Sequence, residues 1–360
     1  MRVFTMKAIG AAGALLLMGG LMSGCGGSPS SSGTANGNSS KKIGLLLPEV
    51  TTLRYEEKDK PYFTDALKSI CPGCQLLYAN ASSDASKQLQ EAQSMLTQGV
   101  NALVVDPYDG VAAASIVQAA KAQNVPVISY DRLIKSPDVA FSISNDYKKV
   151  GELQGKALVD KLKSDGTPQD KGGLLMIDGA ETDPNAANIK AGAHSVIDGS
   201  GYKVLSEFAT WDPAEAQNWV SGQLTKFRGE ISGVYSANDG DGGSAIAAMK
   251  AVGIQPIPPV TGLDASLAGL QRIVAGDQYM TVYNPFKTEA THAAQAAVDL
   301  ANGKKPDSTT TVNGIPTFLN QPVAVTAANI ESTVIKDGFY KASDICTPDY
   351  AAACAKANIK

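Results

Sequence analysis

Residues 101–132 read NALVVDPYDGVAAASIVQAAKAQNVPVISYDR. Segment 102–105 is apolar at every position, segment 110–123 carries its apolar residues at helical spacing, and segment 125–129 is a second apolar run. Strands buried on both faces of a parallel sheet read as unbroken apolar runs, whereas half-exposed strands alternate. The stretch therefore predicts a strand, a helix and a parallel strand, the repeating unit of a doubly wound α/β sheet. The second strand runs out into Tyr130-Asp131-Arg132. Open parallel sheets bind their ligands beyond the carboxyl ends of the strands, so these polar residues stand where a ligand would.

The same grammar extends in both directions. Strands are expected at 43–47, 75–78 and 141–143, with helices at 62–69 and 83–98. It then restarts, with helices at 148–163, 187–198, 214–227, 242–252 and 266–275 between strands at 173–177, 202–208, 233–236, 260–262 and 279–283. Two α/β lobes in series are the expected architecture. A helix at 287–301 and a strand at 323–325 complete one lobe or the other, and 306–322 reads as loop.

Polar and aromatic residues recur at these strand ends: Arg54 and Tyr55, Asp131 and Arg132, Asn145 and Asp146, Asp183 and Asn185, Trp211 and Asp212, Asn238 and Asp239, Asp264, and Tyr283 with Asn284. Any one of them would be an ordinary solvated turn residue; the recurrence points to a cleft. A sugar offers hydroxyls that both donate and accept, plus flat C–H faces. Carboxylates accept from two hydroxyls, amides donate and accept, and Arg supplies a rigid fork of donors. Tyr55 and Trp211 can lie against the C–H faces, and no cationic cluster awaits a phosphate or a carboxylate ligand.

Other chemistries lack their residues. A formal net charge of −4 without a basic stripe argues against nucleic acid. His194 and His292 are the chain's two histidines, and neither falls in a metal-ligand spacing. There is no G-x-S-x-G elbow and no Walker loop. The run Asn238-Asp239-Gly240-Asp241-Gly242-Gly243 lacks the spacing and closing Glu of a calcium loop and reads as a strand-to-helix turn. Asp131 and Asp264 could be drawn as a glycosidase pair, but no sequence feature supports that chemistry. No enzyme, no cofactor and no metal are expected.

Arg2 and Lys7 precede an apolar stretch at 8–22, followed by Leu21-Met22-Ser23-Gly24-Cys25. This predicts a lipoprotein signal peptide over 1–25, with Cys25 acylated after cleavage. The stretch is short for a membrane span of about 20 residues. Gly-, Ser- and Asn-rich residues 26–40 are a flexible tether. Four further cysteines fall in close pairs, Cys71/Cys74 and Cys346/Cys354, and in an exported chain local disulfides are the simplest reading. The alternative for Cys71-Pro72-Gly73-Cys74 is a redox dithiol, disfavoured by its place in a helix-to-strand turn.

From Lys41 to about Lys341 the chain resembles the periplasmic-binding-protein-like (type I) sugar receptors of ABC transporters. The resemblance is carried by Tyr130-Asp131-Arg132-Leu133-Ile134, Val150-Gly151-Glu152-Leu153-Gln154, Ala237-Asn238-Asp239, Asp264-Ala265-Ser266-Leu267-Ala268-Gly269, Met280-Thr281-Val282-Tyr283 and Val334-Ile335-Lys336-Asp337-Gly338-Phe339. It implies two doubly wound parallel-sheet lobes joined by a three-crossover hinge and closing on one pyranose. The lobes would comprise 41–145 plus 285–315 and 146–284 plus 316–345, with 346–360 a disulfide-capped tail. It also implies a ligand set of Arg54, Tyr55, Asp131, Arg132, Asp183, Asn185, Trp211, Asn238, Asp264 and Asn284. The family carries Lys at the position of Asn284 and Gln at that of Leu263. The implied function is that of an extracytoplasmic receptor, lipid-anchored and monomeric. It would deliver an aldose, D-xylose foremost, to permease and ATPase subunits; the alternatives are another aldose or presentation of sugar to a sensor.

Overall fold

The computed structural model describes residues 40–359; the expected signal peptide with Cys25, and the tether up to residue 39, lie outside them. The first lobe contains β1 (Lys42–Leu47), β2 (Gln75–Asn80), β3 (Ala102–Val105), β4 (Val127–Tyr130) and β5 (Phe141–Asn145). The second contains β6 (Gly173–Asp178), β7 (Lys203–Ala209), β8 (Ile231–Ser236) and β9 (Thr281–Tyr283). The chain then adds β10 (Thr310–Val312), β11 (Ile315–Asn320) and β12 (Val323–Val325).

The first sheet runs β10-β11-β5-β4-β3-β1-β2, parallel throughout except for the β10–β11 hairpin. Successive side chains of a strand point to opposite faces, and both faces of β1 are covered. Ile43, Leu45 and Leu47 pack with Phe63, Leu67 and the alanines of the helix Phe286–Ala301, whereas Leu46 packs with Met95, Leu96, Ile116 and Val117. That double burial is why these strands read as continuous apolar runs.

The second sheet is β7-β6-β8, all parallel, with Val260 adding a single parallel bridge to Val234 of β8. Leu174 and Met176 face Val150, Leu158 and Ile189, and Leu175 and Ile177 face Ala216, Val220 and Met249. The helices Tyr147–Ser164 and Pro184–Ile197 cross closely here. A Cβ on Gly151 would come within 1.9 Å of the Ile189 carbonyl oxygen, so only glycine allows the approach.

Several expectations shift. The expected helix at 110–123 is α-helical only over Ala114–Lys121, because the Asp109 carboxylate accepts from the amides of Val111 and Ala112 and turns the chain first. The expected strand at 260–262 reduces to its one bridge, and that at 279–283 to β9. The stretch 306–322 is not a loop. Asn313 and Gly314, both at positive φ, make the two-residue turn of the β10–β11 hairpin. Since β11 pairs with β5 in the first sheet, residues 316–320 belong there and not with the second lobe. The return to the second lobe falls between Asn320 and β12, which pairs antiparallel with β9.

The disulfides Cys71–Cys74 and Cys346–Cys354 are both formed. The disulfide-capped tail packs on the body of the protein: Cys354 and Ile359 are buried in one cluster with Ile273, Phe286 and Phe339. Among the described residues no helix is long and apolar enough to cross a membrane.

Candidate functional site

The carboxyl ends of both sheets converge on one narrow cavity with about 330 Å³ of atom-free space. Nine of the ten residues expected to bind ligand line it: Arg54, Tyr55, Asp131, Arg132, Asp183, Asn185, Trp211, Asn238 and Asp264. Thr52, Tyr147, Ile189 and Leu263 complete the wall.

The first lobe supplies two guanidinium forks. Arg54 and Tyr55 open a π-helical turn, Tyr55–Asp59, that runs into the helix Lys60–Ile70. Arg54 donates to Asp59 through Nε (3.0 Å) and Nη2 (2.9 Å), and Nη2 also lies 3.4 Å from Asp131 and 3.9 Å from Glu289. Burial opposes the charge on Arg54, but Asp131 and Asp59 overcome it and hold the guanidinium ionised. Its plane rests 3.9 Å from the centroid of the Phe286 ring. Arg132 Nη2 donates to Glu49 (3.0 Å) and to the Tyr55 hydroxyl (2.9 Å). Tyr55 is thus buried beside both guanidinium groups, those of Arg54 and Arg132 lying 4.9 and 5.6 Å from its ring centroid.

Asp131 follows β4 at φ 57°, in the left-handed region that Asp tolerates better than most residues. The Tyr147 hydroxyl donates to its carboxylate. Asp264 stands in the second lobe at φ 89°. The loop carrying it is fixed from below: buried Asp239 accepts from the Ser266 amide (2.8 Å) and from Gln278 Nε2 (2.7 Å). Among the described residues the Asp264 carboxylate has no hydrogen-bond partner, and burial raises its pKa to about 7. Two carboxylates on unusual backbone, one in each lobe, therefore face the cavity.

Three of the second-lobe residues sit at helix starts, where capping is a local necessity. Asp183 caps Pro184–Ile197 by accepting from the Asn185 amide (2.8 Å), and its other oxygen accepts from Trp211 Nε1 (3.0 Å). Asn238 caps Asp239–Ala251 through Oδ1 (2.8 Å to the Asp241 amide), which turns its amide nitrogen away from the helix. Asn185 Nδ2 donates across the cleft to the Asp131 carbonyl (3.3 Å). Trp211 lies where it does because residue 179 is glycine: a Cβ there would come within 2.0 Å of the indole.

Asn284 is the expected residue that does not belong to the wall. It is fully buried, is absent from the cavity lining, and neither of its side-chain polar atoms has a partner among the described residues. It follows β9 at the crossover into Phe286–Ala301, so its strand-end position was legible but not its inward burial. Tyr147 was missed although it directly follows the polar strand end Asn145-Asp146. The buried anions Glu49, Asp59, Asp106 and Glu289 were missed as well, because nothing in their local sequence marks them as lying beneath the arginines. The histidines stand apart: His194 pairs with Asp198 (2.9 Å), and His292 stacks on Phe318 (3.8 Å between ring centroids). Among the described residues no group of His, Cys, Asp and Glu could hold a metal ion.

This is a two-lobed receptor architecture, with a type I periplasmic-binding-protein fold and a polar interlobe cavity. The chain belongs to the periplasmic binding protein domain family, whose profile matches residues 43–305. It is 36% identical over 314 residues to the D-xylose-binding periplasmic protein of Escherichia coli K12, covering 84% of this chain and 92% of that one. It is 30% identical over 334 residues to the multiple sugar-binding periplasmic receptor of Rhizobium radiobacter, with the same coverage of 84% and 92%. Among solved structures it resembles a carbohydrate transporter solute-binding protein from Chloroflexus aurantiacus, in complex with D-glucose. That likeness has a TM-score of 0.74 and 28% identity, covering 85% of this chain and 98% of that one.

Proposed function

We propose that this protein is the extracytoplasmic solute-binding component of a sugar ABC transporter, capturing a monosaccharide between its lobes and presenting it to the permease. The observation that carries the reading is the convergence of nine polar and aromatic strand-end residues, from both lobes, on one cavity. D-xylose is the leading ligand, supported by the relative of that specificity. Arg54 and Arg132 donate to ring hydroxyls, Asp131 and Asp264 accept from them, Asn185 and Asn238 do both, and Trp211 covers a C–H face. No step of bond making is assigned to these groups. Sugar touches both lobes only when they are closed, so it stabilises the closed state, which is what the permease would read. Acylation of Cys25 would hold the receptor, as a monomer, at the membrane.

The test is calorimetry and thermal melting with a panel of aldoses. D-xylose is expected to bind at micromolar or tighter Kd and to raise Tm. If no monosaccharide does either, the reading is wrong. A second reading, a broader aldose range, is favoured by the likeness to the multiple sugar-binding receptor; comparable affinity for several aldoses would select it.

A further inference from the structure

The monosaccharide cavity borders a second recess, a chamber between the lobes. That recess has about 1110 Å³ of atom-free space, open solvent included, against about 330 Å³ on the same measure for the cavity itself. Thr52, Arg54, Trp211, Asn238 and Asp264 line both, so the two spaces adjoin across these side chains alone. Another large recess, lined by Glu49 and Glu215 among others, shares only Trp211 with the cavity.

The far wall of the chamber has a mixed character. Leu53, Leu267 and Tyr340 provide apolar surface, and Lys58, Gln271 and Arg272 provide polar groups. Leu53 is 61% exposed and leaves apolar surface at this wall. Lys58 fixes the wall: its Nζ donates to the Phe339 carbonyl (2.9 Å) and lies 3.8 Å from the Tyr340 ring centroid. The Tyr340 ring is therefore held in place before any ligand arrives, and a preordered aromatic face costs little to use.

We propose that this chamber is a second subsite, taking a further sugar unit glycosidically linked to the one in the cavity. The inference rests on the monosaccharide reading above and extends it: the receptor takes disaccharides as well as free aldoses. A second pyranose matches the wall in kind, with C–H faces for Tyr340 and Leu267 and hydroxyls for Gln271 and the charged rim. Its linking oxygen would pass between Asn238 and Arg54, which border both spaces.

Calorimetry with D-xylose and xylobiose tests it, together with Ala268→Trp, which fills the chamber from an exposed position outside the monosaccharide cavity. Xylobiose is expected to bind within about tenfold of D-xylose, and Ala268→Trp to weaken xylobiose by about tenfold or more while D-xylose stays within about twofold. Tyr340→Ala serves as a second variant, removing the aromatic wall, with xylobiose again the sugar affected. D-xylose binding without xylobiose binding in that range overturns the subsite and leaves the monosaccharide reading intact. So does an equal effect of both variants on the two sugars. Failure of both sugars overturns the monosaccharide reading, and the subsite with it.

Discussion

Arg132 Nε of the first lobe lies 3.1 Å from Asp183 Oδ2 of the second, in a pair that is 3% and 5% exposed. The contact is ionic and not a hydrogen bond, since the Nε–H is not aimed along it. It ties the lobes together directly, beside the cavity that the sugar would occupy. Closure is thus shared between ligand and protein: the pair lowers the cost of the closed state, and sugar adds the remainder.

Asp183→Asn keeps the shape and, through Oδ1, the helix cap, but replaces the oxygen that faces Arg132 and accepts from Trp211 by an amide nitrogen, removing the charge and that one hydrogen bond. Arg132 retains Glu49 and Tyr55, so the loss falls at the low end for a buried charge pair. It should be about 2 kcal/mol, or about 30-fold in Kd. Calorimetry gives the affinity, and small-angle scattering should show a larger radius of gyration for the sugar-free variant. Unchanged affinity and radius would mean that the pair does not govern closure.

Trp211 depends on the absence of a side chain at residue 179, where a Cβ would stand 2.0 Å from the indole. Gly179→Ala should push the ring off the cavity and break its hydrogen bond to Asp183. The expected result is a tenfold or greater weakening of sugar binding, on the order of the 1 to 3 kcal/mol that an aromatic contact plus a charged hydrogen bond contribute. Trp219 is the chain's other tryptophan, so a shifted fluorescence maximum would report the movement. An unaltered spectrum and Kd would show that the ring accommodates the methyl group.

Asp264 gives binding a pH dependence. Burial raises its pKa to about 7, with Arg54 pulling the other way and Asp239 and Asp131 adding to the rise. The ionised carboxylate is the better acceptor for sugar hydroxyls, so binding favours the deprotonated form. Affinity should be flat above pH 7 and fall below it, approaching about tenfold per pH unit when one proton must leave. Calorimetry from pH 5.5 to 8 measures it, and Asp264→Asn should flatten the profile. A wild-type profile flat over that range would show that Asp264 is not titrating against the ligand.

The sequence carries the sheet strongly and the hinge weakly, for physical reasons. A strand buried on both faces, such as β1 or β3, has no option but an unbroken apolar run. The site residues were equally visible because β4 and the capped helices at Asp183 and Asn238 place them at strand ends by geometry alone. The hairpin β10–β11 was missed even though Asn313-Gly314 is a favoured two-residue turn, because its strands are short and β10 is largely exposed. Asn284 stood at a strand end and yet turned inward. The interlobe pair Arg132–Asp183 joins two lobes whose relative placement no local pattern encodes.

Asp241 ties the site's charge to the stability of the fold. It is the third residue of the helix Asp239–Ala251, is fully buried, and neither carboxyl oxygen has a partner among the described residues. Burial, followed by the charges of Asp212, Glu49, Asp264 and Glu215, raises its pKa to about 8; the helix N-terminus works against that rise. A carboxyl group whose folded pKa lies above its unfolded value of about 3.9 holds its proton more tightly in the folded state. The stability that Asp241 contributes is therefore fully present below about pH 4 and is lost as pH rises from about 4 to about 8, by at most about 1.4 kcal/mol per unit for one proton. Asp264 contributes in the same direction up to about pH 7. Asp241→Asn preserves the shape and removes this titration. Its urea midpoint should fall less steeply than that of the wild type between pH 5 and 8, leaving the variant more stable at pH 8. Parallel curves for the two proteins would mean that Asp241 is ionised throughout and that the helix N-terminus stabilises its charge.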